Sequence, residues 1–269
     1  MFQLRTFSED CALIRRQSPV IHNITNYVAM GISANALLAI GASPIMSSEP
    51  DEMVEIVSAS DALVINIGCL EKPQVEAMRI AAGAAMTQGK PWVLDPVGVG
   101  ASSLRRRTCE KLISNYFPTV IRGNASEIMV LAGAEAISRG VDAAEESSLA
   151  TESAVKLARE TGAVVSVSGP VDYITDGNTM VSISNGSPLM PRVTALGCTA
   201  SAITAAFLAV DRDALQATCG AMALMGTAGE TAAACSKGPG SLAVNFIDTL
   251  AGCNPAAAAE LLRYEEKPA

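Results

Sequence analysis

One segment of the sequence places a carboxylate and two closely spaced glycines directly after a short apolar run: Asp95-Pro96-Val97-Gly98-Val99-Gly100. The run before it, Trp92–Leu94, is typical of a buried strand, and ligands of open α/β sheets bind beyond the carboxyl ends of strands. A carboxylate at that point could hold Mg²⁺ directly or through water, and the glycines would let the backbone approach a ligand closely. A simple tight turn explains the same residues, because Asp-Pro and Gly are common in loops.

A second segment, Arg122-Gly123-Asn124-Ala125-Ser126-Glu127, follows another apolar run and opens a helical pattern. An Asn N-cap with Glu three residues later is close to a capping box, which is a purely structural arrangement. The same residues could also place Arg122 on a nucleotide phosphate and Glu127 near a metal ion. The two interpretations are compatible, because a capped helix N-terminus also attracts phosphate.

A third segment, Val193–Ala200, precedes a helical stretch of small apolar residues and contains Gly197 and Cys198. We expect the backbone N–H groups of 197–200 and the helix dipole to favour anionic oxygens, including those of a transferring phosphoryl group. We also expect the helix N-terminus to lower the pKa of Cys198, making the thiol a base or positioning group for a substrate hydroxyl. A buried structural cysteine fits the same pattern.

Composition excludes several classes of protein. The net charge of −8, with Arg105–Arg107 as the only basic run, argues against binding to nucleic acid. Seven scattered cysteines without a C-x-x-C pair and a single histidine are typical of a reduced cytoplasmic protein without a Cys/His zinc site. The N-terminus lacks the apolar core of a signal peptide, and no apolar run approaches the ~18 residues of a membrane span. We therefore expect a cytoplasmic protein without membrane or nucleic-acid partners.

Strand and helix patterns alternate through residues 1–170, which predicts βαβ units and a mostly parallel sheet. An Asp-Gly-Asn turn at 176–178 predicts an antiparallel hairpin at the edge of that sheet. We expect one domain over residues 1–269, with 138–148 as the most loop-like stretch. The predicted strands are 19–22, 43–46, 62–67, 92–95, 119–122, 163–168, 171–175 and 180–184. The predicted helices are 26–39, 51–59, 73–88, 103–115, 125–132, 150–161, 198–209, 212–235, 241–252 and 255–264.

Taken in order, several segments resemble the hydroxyethylthiazole kinase family over nearly the whole chain. They are His22–Asn26, Gly41–Met46, Asn66–Gly68, Asp95–Gly98, Arg122–Glu127, Gly140–Asp142, Cys198 and Lys237–Ser241. The resemblance implies a ribokinase-like α/β fold of three layers, with a mostly parallel central sheet flanked by helices and an antiparallel hairpin at its edge. It implies transfer of the γ-phosphoryl group of ATP to 4-methyl-5-(2-hydroxyethyl)thiazole in thiamine biosynthesis or salvage, with Mg²⁺ as cofactor. It also implies a homotrimer with active sites at subunit interfaces.

Carried over to this sequence, the resemblance implies roles for ten residues. They are Cys198 as the catalytic group; Met46, Ala195 and Asn23 at the substrate; Arg122, Ser168, Asn124 and Gly197 at ATP; and Asp95 and Glu127 at the metal. Two positions depart from the family pattern. Ala195 replaces a usual glycine, so the turn must avoid positive φ there or accept strain. Ser168 replaces a frequent threonine and keeps the hydroxyl.

Three other functions fit parts of the pattern. A related kinase acting on a hydroxymethylpyrimidine or on pyridoxal would share the fold and the phosphate-binding devices. A nicotinamide-dependent oxidoreductase would need a G-x-G-x-x-G after the first strand, and the sequence lacks one, as it also lacks a G-x-x-x-x-G-K-[ST] motif. A non-catalytic protein that senses the thiazole is the third alternative, and a product assay separates it from a kinase.

Overall fold

The computed structural model describes residues 2–133 and 143–269. Its central feature is a nine-stranded sheet. The strands, numbered along the chain, are β1 Val20–Ile24, β2 Ser43–Met46, β3 Ala62–Asn66, β4 Trp92–Asp95, β5 Val120–Asn124, β6 Val164–Ser168, β7 Asp172–Thr175, β8 Thr179–Ile183 and β9 Tyr264–Pro268. Their order across the sheet is β2-β1-β3-β4-β5-β6-β7-β8-β9.

The sheet is parallel from β2 to β6 and antiparallel from β6 to β9. Strands β7 and β8 form the predicted hairpin, and its turn is held by Asp176, whose Oδ1 accepts the N–H groups of Asn178 and Thr179 at 2.8 and 2.7 Å. Because all six parallel strands end at the same edge, the residues that follow them are brought together there. The predicted mixed sheet with a hairpin edge is confirmed.

Helices cover both faces of the sheet and give two separate buried clusters. The first cluster is formed mainly by α1, α2, α8, α9 and α10, and the second by α3 to α7, so the fold has the three layers expected. The helices are α1 Leu4–Gln17, α2 Met30–Ile40, α3 Met53–Ala59, α4 Lys72–Thr87, α5 Ser103–Tyr116, α6 Ala125–Leu131, α7 Ala143–Thr161, α8 Leu196–Val210, α9 Ala214–Ala234, α10 Pro239–Ala251 and α11 Pro255–Leu261; short 3₁₀ turns cover Pro50–Glu52, Val99–Ala101 and Met190–Arg192. None of the described helices is long and apolar enough to cross a membrane.

Helix α8 packs against β3, β4, α2 and α9, and this position explains its composition. Residues Thr199–Leu208 are all buried. A helix enclosed on every side cannot show an amphipathic stripe, so uncharged residues, most of them apolar, occupy its whole circumference. The consequence for the site is that the N-terminus of α8 is held firmly over the carboxyl ends of the central strands.

The terminal elements differ from the sequence prediction. Helix α1 was not predicted, although Phe7, Cys11 and Ile14 recur at helical spacing and are buried. The helix predicted over 255–264 was too long, since it ends at Leu261 and the chain then adds β9 to the open edge of β8. The predicted loop 138–148 was wrong for residues 143–148, which begin α7, while 138–142 lie outside the described residues.

A pair of carboxyl groups lies between α1 and the end of α8. Asp10 is buried, and the Oδ2 atoms of Asp10 and Asp211 are buried without a hydrogen-bond partner among the described residues. Burial, followed by the charges of Asp211 and Glu9, raises the pKa of Asp10 to about 7. The folded protein therefore binds this proton more tightly than the unfolded chain, in which an aspartate titrates near pH ~4.

Because the folded-state pKa is the higher one, stability should fall as pH rises from about 4 to about 7 and stay low above it. Asp10→Asn keeps the shape without the charge, so it should stabilise the protein at pH 8 by about 1–2 kcal/mol and remove this part of the pH dependence. Urea unfolding at pH 5 and pH 8 measures the effect, with the exposed Asp51→Asn as the matched control. An unchanged pH dependence in Asp10→Asn would contradict the assignment.

Candidate active site

The first pair of site residues lies at the ends of β3 and β4, where Asn66 and Asp95 are paired in register. Asn66 Nδ2 donates to Asp95 Oδ2 at 2.7 Å, and Ser201 Oγ of α8 donates to the same oxygen at 2.8 Å. All three side chains are buried. The other oxygen, Asp95 Oδ1, has no partner within the described part of the chain, so it is the group through which Asp95 can meet a ligand.

Burial dominates the electrostatics of Asp95 and raises its pKa to about 6. The positive charge of Arg122 and the hydrogen bonds from Ser201 and Asn66 act in the opposite direction, and the negative charge of Glu127 raises the pKa again. At neutral pH Asp95 is therefore ionised, and its neighbours only partly offset the cost of burying its charge. A cation placed between Asp95 and Glu127 would relieve that cost.

The Cys198 thiol lies beside this pair at the start of α8. Its Sγ accepts Nδ2 donors from Asn26 at 3.3 Å and Asn66 at 3.2 Å. Because both neighbours donate to the sulfur, the thiol proton must point elsewhere, where it can be donated to a substrate hydroxyl. Asn26 also donates to Asn66 Oδ1 at 2.9 Å, which links the two amides into one network.

The expectation of a lowered pKa for Cys198 was wrong. Burial raises the pKa of this thiol, and the nearby charge of Asp95 raises it further. The amide donors of Asn26 and Asn66 and the charge of Arg122 lower it, but they do not offset burial. Cys198 is therefore a thiol at neutral pH, and its most direct action is to orient a hydroxyl group.

The backbone donors of α8 also differ from the expected set of 197–200. The N–H of Thr199 donates to Ala195 O at 2.9 Å, so it begins the helix's own hydrogen bonds. The amides available to a ligand are those of the first turn, Leu196–Cys198, which precede the first intrahelical donor. The anion-binding surface at this helix end is thus shifted toward its beginning.

Ala195 is the N-cap of α8, with φ 65° and ψ 6° in the left-handed region. Of the two outcomes that the sequence left open, the turn accepts strain. An L-residue in this conformation costs roughly 1–2 kcal/mol, which glycine avoids at the expense of greater freedom in the unfolded chain. The strain lies directly at the turn that forms the anion-binding end of α8.

Ala195→Gly should therefore leave the free energy of unfolding unchanged or raise it by up to about 1 kcal/mol. Ala209→Gly in the last turn of the same helix is the matched control, and should cost about 1 kcal/mol as glycine usually does in a helix. Urea unfolding of both variants measures the difference. Equal destabilisation in the two would show that the left-handed conformation of Ala195 carries no strain.

Arg122 lies in the middle of β5 and Ser168 ends β6, and the two are joined by a hydrogen bond from Arg122 Nη2 to Ser168 Oγ. A Cβ atom on Gly197 would lie 3.0 Å from Arg122 Nη1, so the glycine permits the guanidinium to pack against the start of α8. These residues, with Asn124 and Ala195, line a cavity of about 880 Å³. Arg122 Nε is buried without a partner among the described residues, as expected for a group that awaits an anion.

Asn124 and Glu127 form the predicted capping box at the start of α6. Asn124 Oδ1 accepts the N–H of Glu127 at 3.0 Å, and Glu127 Oε2 accepts the N–H of Asn124 at 2.9 Å. The second oxygen, Glu127 Oε1, accepts the N–H of Gly98 at 2.9 Å, where Gly98 has φ 65°. The capping box thus also fixes a carboxylate next to the loop that follows Asp95.

The remaining predicted residues, Met46 and Asn23, lie on the other side of the centre. They are opposite each other in the pairing of β1 with β2, and neither lines the 880 Å³ cavity. Asn23 is buried, and its Nδ2 donates to Ile21 O at 2.9 Å, so its side chain serves the backbone. His22 is likewise buried, with Nε2 3.0 Å from Ser47 O, as expected for a structural histidine.

The order of the strands divides the site into three zones. Strands β5 and β6 place Arg122 and Ser168 beside the large cavity, and the ends of β3 and β4 carry Asn66 and Asp95 beneath Cys198. The ends of β1 and β2 lie beyond them and lead into Asn26 and Met46. A second cavity of about 600 Å³ near Lys90 and Asp211 contains none of the predicted site residues.

Comparison with known proteins agrees with this arrangement. Residues 11–255 match the model of the hydroxyethylthiazole kinase family. The chain belongs to the hydroxyethylthiazole kinase family. Curated relatives named hydroxyethylthiazole kinase include one from Nitratidesulfovibrio vulgaris strain DP4, 50% identical over 93% of this chain and 94% of the relative, and one from Brachyspira hyodysenteriae, 52% identical over 88% and 89%. The resemblance found in the sequence is thereby confirmed.

Solved structures give the same result at the level of the fold. A hydroxyethylthiazole kinase protein from Pyrococcus horikoshii OT3 superposes with a TM-score of 0.90 and 37% identity, covering 98% of this chain and 99% of that one. Pyridoxal kinase from Staphylococcus aureus, in a complex with AMP-PCP and pyridoxal, superposes with a TM-score of 0.63 at 15% identity over 93% and 98%. The second likeness shows the fold alone, and the expected ribokinase-like architecture is confirmed.

Three residues at the centre of this hydroxyethylthiazole kinase family site were not predicted as site residues. Asn26 and Asn66 lie in two of the motifs that resemble the family, but Asn23 was the asparagine predicted to contact the substrate. Ser201 had no signal beyond its position one helical turn after Cys198. Only the register of β3 with β4 and the direction of α8 bring these side chains to Asp95 and Cys198.

The donor set fits a magnesium ion that is shared with a substrate. Asp95 Oδ1 is buried and unpartnered, and Glu127 is near enough to influence the pKa of Asp95. No group of three or more His, Cys, Asp or Glu side chains suited to a metal occurs in 2–133 or 143–269. Two carboxylates without further protein ligands are the pattern expected for Mg²⁺ that takes its other ligands from water and phosphate.

Proposed function

We propose that this protein transfers the γ-phosphoryl group of ATP to the primary alcohol of 4-methyl-5-(2-hydroxyethyl)thiazole, a step of thiamine biosynthesis or salvage. Membership of the hydroxyethylthiazole kinase family supports the substrate. The observation that carries the proposal is the position of Cys198, at the N-terminus of α8 and between the large cavity and the ends of β1 and β2. A group moving from a nucleotide to an alcohol would pass this point.

The nucleotide side is assigned to the 880 Å³ cavity. Arg122 supplies positive charge, Ser168 a hydroxyl, and Asn124 and Gly197 line the wall. The cavity lies within the volume range of small-molecule sites, and the N-terminus of α8 opens toward it. The net charge of −8 is no obstacle, because local donors and a helix end are sufficient to hold phosphate.

Asp95 and Glu127 would hold Mg²⁺ in this proposal. When bound, the ion would neutralise part of the charge on the ATP phosphates. The residues contribute in two ways that are visible in their contacts. Asn66 and Ser201 fix one oxygen of Asp95 and leave the other free, while Gly98 and Asn124 fix Glu127 through backbone donors.

The transfer itself forms a bond between the alcohol oxygen and the γ-phosphorus and breaks the bond from that phosphorus to the leaving oxygen of ADP. The first-turn amides of Leu196–Cys198 would stabilise charge on the transferring group. Cys198 orients the alcohol, with Asn26 and Asn66 fixing the sulfur. The alcohol proton is released late to the transferred phosphate, and it passes to the sulfur only at alkaline pH, where Cys198 is a thiolate.

The alcohol side is assigned to the region of Met46, with the backbone of Ala195 contacting the substrate from α8.

We also propose a homotrimer with active sites at subunit interfaces. Strand β2 is an edge strand, and large apolar side chains nearby are more than half exposed: Tyr27, Val28, Leu38 and Val54. Exposed apolar groups of this kind mark interaction surfaces. Light scattering gives the mass that tests the trimer.

Cys198→Ser should lower kcat only modestly near neutral pH, where the thiol is protonated and a hydroxyl can replace it, and should remove any rise of kcat toward alkaline pH. A serine hydroxyl can orient the alcohol but does not become an anion in the accessible pH range, whereas the thiol ionises as pH rises through its raised pKa. The KM for the alcohol should change little. The pH profile of kcat measures this, with exposed Cys235→Ser as the control; full kcat at every pH in Cys198→Ser would disprove the base role.

A panel of alcohols tests the substrate. ADP release with ATP, Mg²⁺ and either the thiazole alcohol, a hydroxymethylpyrimidine or pyridoxal should show the highest kcat/KM for the thiazole. Preference for another alcohol would replace the assignment, and no activity with any of them would favour a binding protein.

The seven free cysteines are consistent with the further proposal that the reaction takes place in the cytoplasm.

A further inference from the structure

The Arg105 guanidinium connects the two loops that carry the site residues. Its Nη1 donates to Ile67 O and to Val97 O, both at 2.7 Å, and its Nη2 donates to Gly68 O at 2.8 Å. Ile67 and Gly68 follow β3, whereas Val97 follows β4. One side chain on the first turn of α5 therefore bonds to the main chain of both loops at once.

Each of these loops leads to a different part of the site. After β3, the N–H of Gly68 donates to Asn66 Oδ1 at 2.9 Å, and the Asn66 amide in turn contacts Asp95 and Cys198. After β4, the residue following Val97 is Gly98, whose N–H donates to Glu127 Oε1 at 2.9 Å. Displacing either loop would move one of these two polar groups relative to the other.

We propose that Arg105 is a positioning residue: by bonding to both loops it sets the position of Asn66 relative to that of Glu127. The inference rests on the proposed function, in which these two groups serve Cys198 and the metal site. Arginine suits the task because its planar fork directs several donors at fixed angles, which a single ammonium group cannot reproduce. Two hydrogen bonds separate Arg105 from Asn66, and two separate it from Glu127, so its effect on the reacting groups is indirect.

The same helix provides matched controls. Arg106 and Arg107 are adjacent and carry the same charge, but both are exposed, whereas Arg105 is partly buried. Ser102 caps α5 by accepting the N–H of Arg105 at 3.3 Å, and this main-chain bond survives any change of the side chain. Substituting Arg105 or Arg106 by alanine thus removes the same charge from the same helix, and only the first change releases the loops.

The test combines kinetics with binding of a non-hydrolysable ATP analogue. Arg105→Ala should lower kcat by about 10- to 100-fold while the KM for the alcohol changes less than about threefold, as is typical when a supporting residue is lost. In calorimetry, Mg²⁺ should increase the affinity of the wild type and of Arg106→Ala for the analogue much more than that of Arg105→Ala. Without Mg²⁺ all three should bind equally, because Arg122 and Ser168 are untouched.

Arg105→Lys keeps the charge and should fold even if the alanine variant does not, but it should recover less than about a fifth of the wild-type kcat. Full recovery of kcat in Arg105→Lys would overturn the inference. So would an Arg105→Ala variant that equals Arg106→Ala both in kcat and in the effect of Mg²⁺ on binding. If the wild type binds the analogue but phosphorylates no alcohol, the proposed function fails, and binding alone decides the role of Arg105. If Mg²⁺ does not strengthen binding in the wild type, the inference fails too.

Discussion

Replacing Asp95 by asparagine is expected to lower kcat by about 100-fold or more and, at the same time, to stabilise the protein at pH 8. The amide can place its oxygen where Asn66 and Ser201 donate, so the existing hydrogen bonds are kept. What is lost is the negative charge on the unpartnered oxygen, which is the part of Asp95 that can bind a cation. Activity and stability should therefore change in opposite directions.

The sign of the stability change follows from the pKa of Asp95, which burial raises to about 6. As pH rises from about 4 to about 6, Asp95 ionises only at a cost, so the free energy of unfolding of the wild type falls. Asparagine cannot ionise, so the variant avoids this fall. A gain of about 1–2 kcal/mol at pH 8 is expected. Because Asp95 of the free enzyme becomes protonated below about pH 6, kcat/KM of the wild type should fall there, and the residual activity of the variant should lack this limb.

The control for Asp95→Asn is Asp10→Asn, which makes the same change at another buried aspartate with a raised pKa. Both variants should be more stable than the wild type at pH 8, but only Asp95→Asn should lose kcat. Measurement of kcat across pH 5–9 together with urea unfolding at pH 8 decides the matter. Normal kcat in Asp95→Asn would remove Asp95 from the metal site.

Arg122→Ala is expected to raise the KM for ATP by about 10- to 100-fold, the range typical of losing a hydrogen bond from a charged group. Arg122 is buried and lines the large cavity together with Ser168, to which it donates, and its Nε has no partner among the described residues. A role in holding the nucleotide before the reaction predicts a larger effect on this KM than on kcat. Exposed Arg106→Ala should leave both constants unchanged.

The pH profile gives a second, independent test of Arg122. Its positive charge lowers the pKa of Asp95 and also that of Asp172, another residue of the cavity, whose pKa burial raises to about 6. Without Arg122 the pKa of Asp95 should rise, so the acid limb of kcat/KM should move to higher pH. A normal KM for ATP with an unmoved acid limb would contradict the placement of Arg122 at the nucleotide.

Most of the sheet could be predicted from the sequence because its strands are short apolar runs separated by helical patterns. The last strand, Tyr264–Pro268, could not, since it is polar and exists only because β8 offers an unpaired edge. Helix α1 had a usable signal in Phe7, Cys11 and Ile14, which recur at helical spacing within a mostly polar segment. An element that carries its own apolar face thus leaves a local signal, although the signal of α1 was not used, whereas β9 leaves none.

The site was predicted less completely for a related reason. Asp95 ends β4, Arg122 lies within β5 and Glu127 is in the first turn of α6, so their positions could be read from the order of the elements. Asn26 and Ser201 depend on the path of a loop and the rotation of a helix, which no local pattern specifies. The raised pKa of Cys198 depends on burial by distant segments, which outweighs the local effect of the helix end.

The most direct test of the central claim is mass spectrometry of the products formed when the protein is incubated with ATP, Mg²⁺ and an equimolar mixture of the thiazole alcohol, a hydroxymethylpyrimidine and pyridoxal. The account predicts that the thiazole phosphate appears first and in greatest amount with the wild type, and that Asp95→Asn forms about 100-fold less of it. A phosphate ester of another alcohol as the main product, or no phosphate ester at all, would contradict the account.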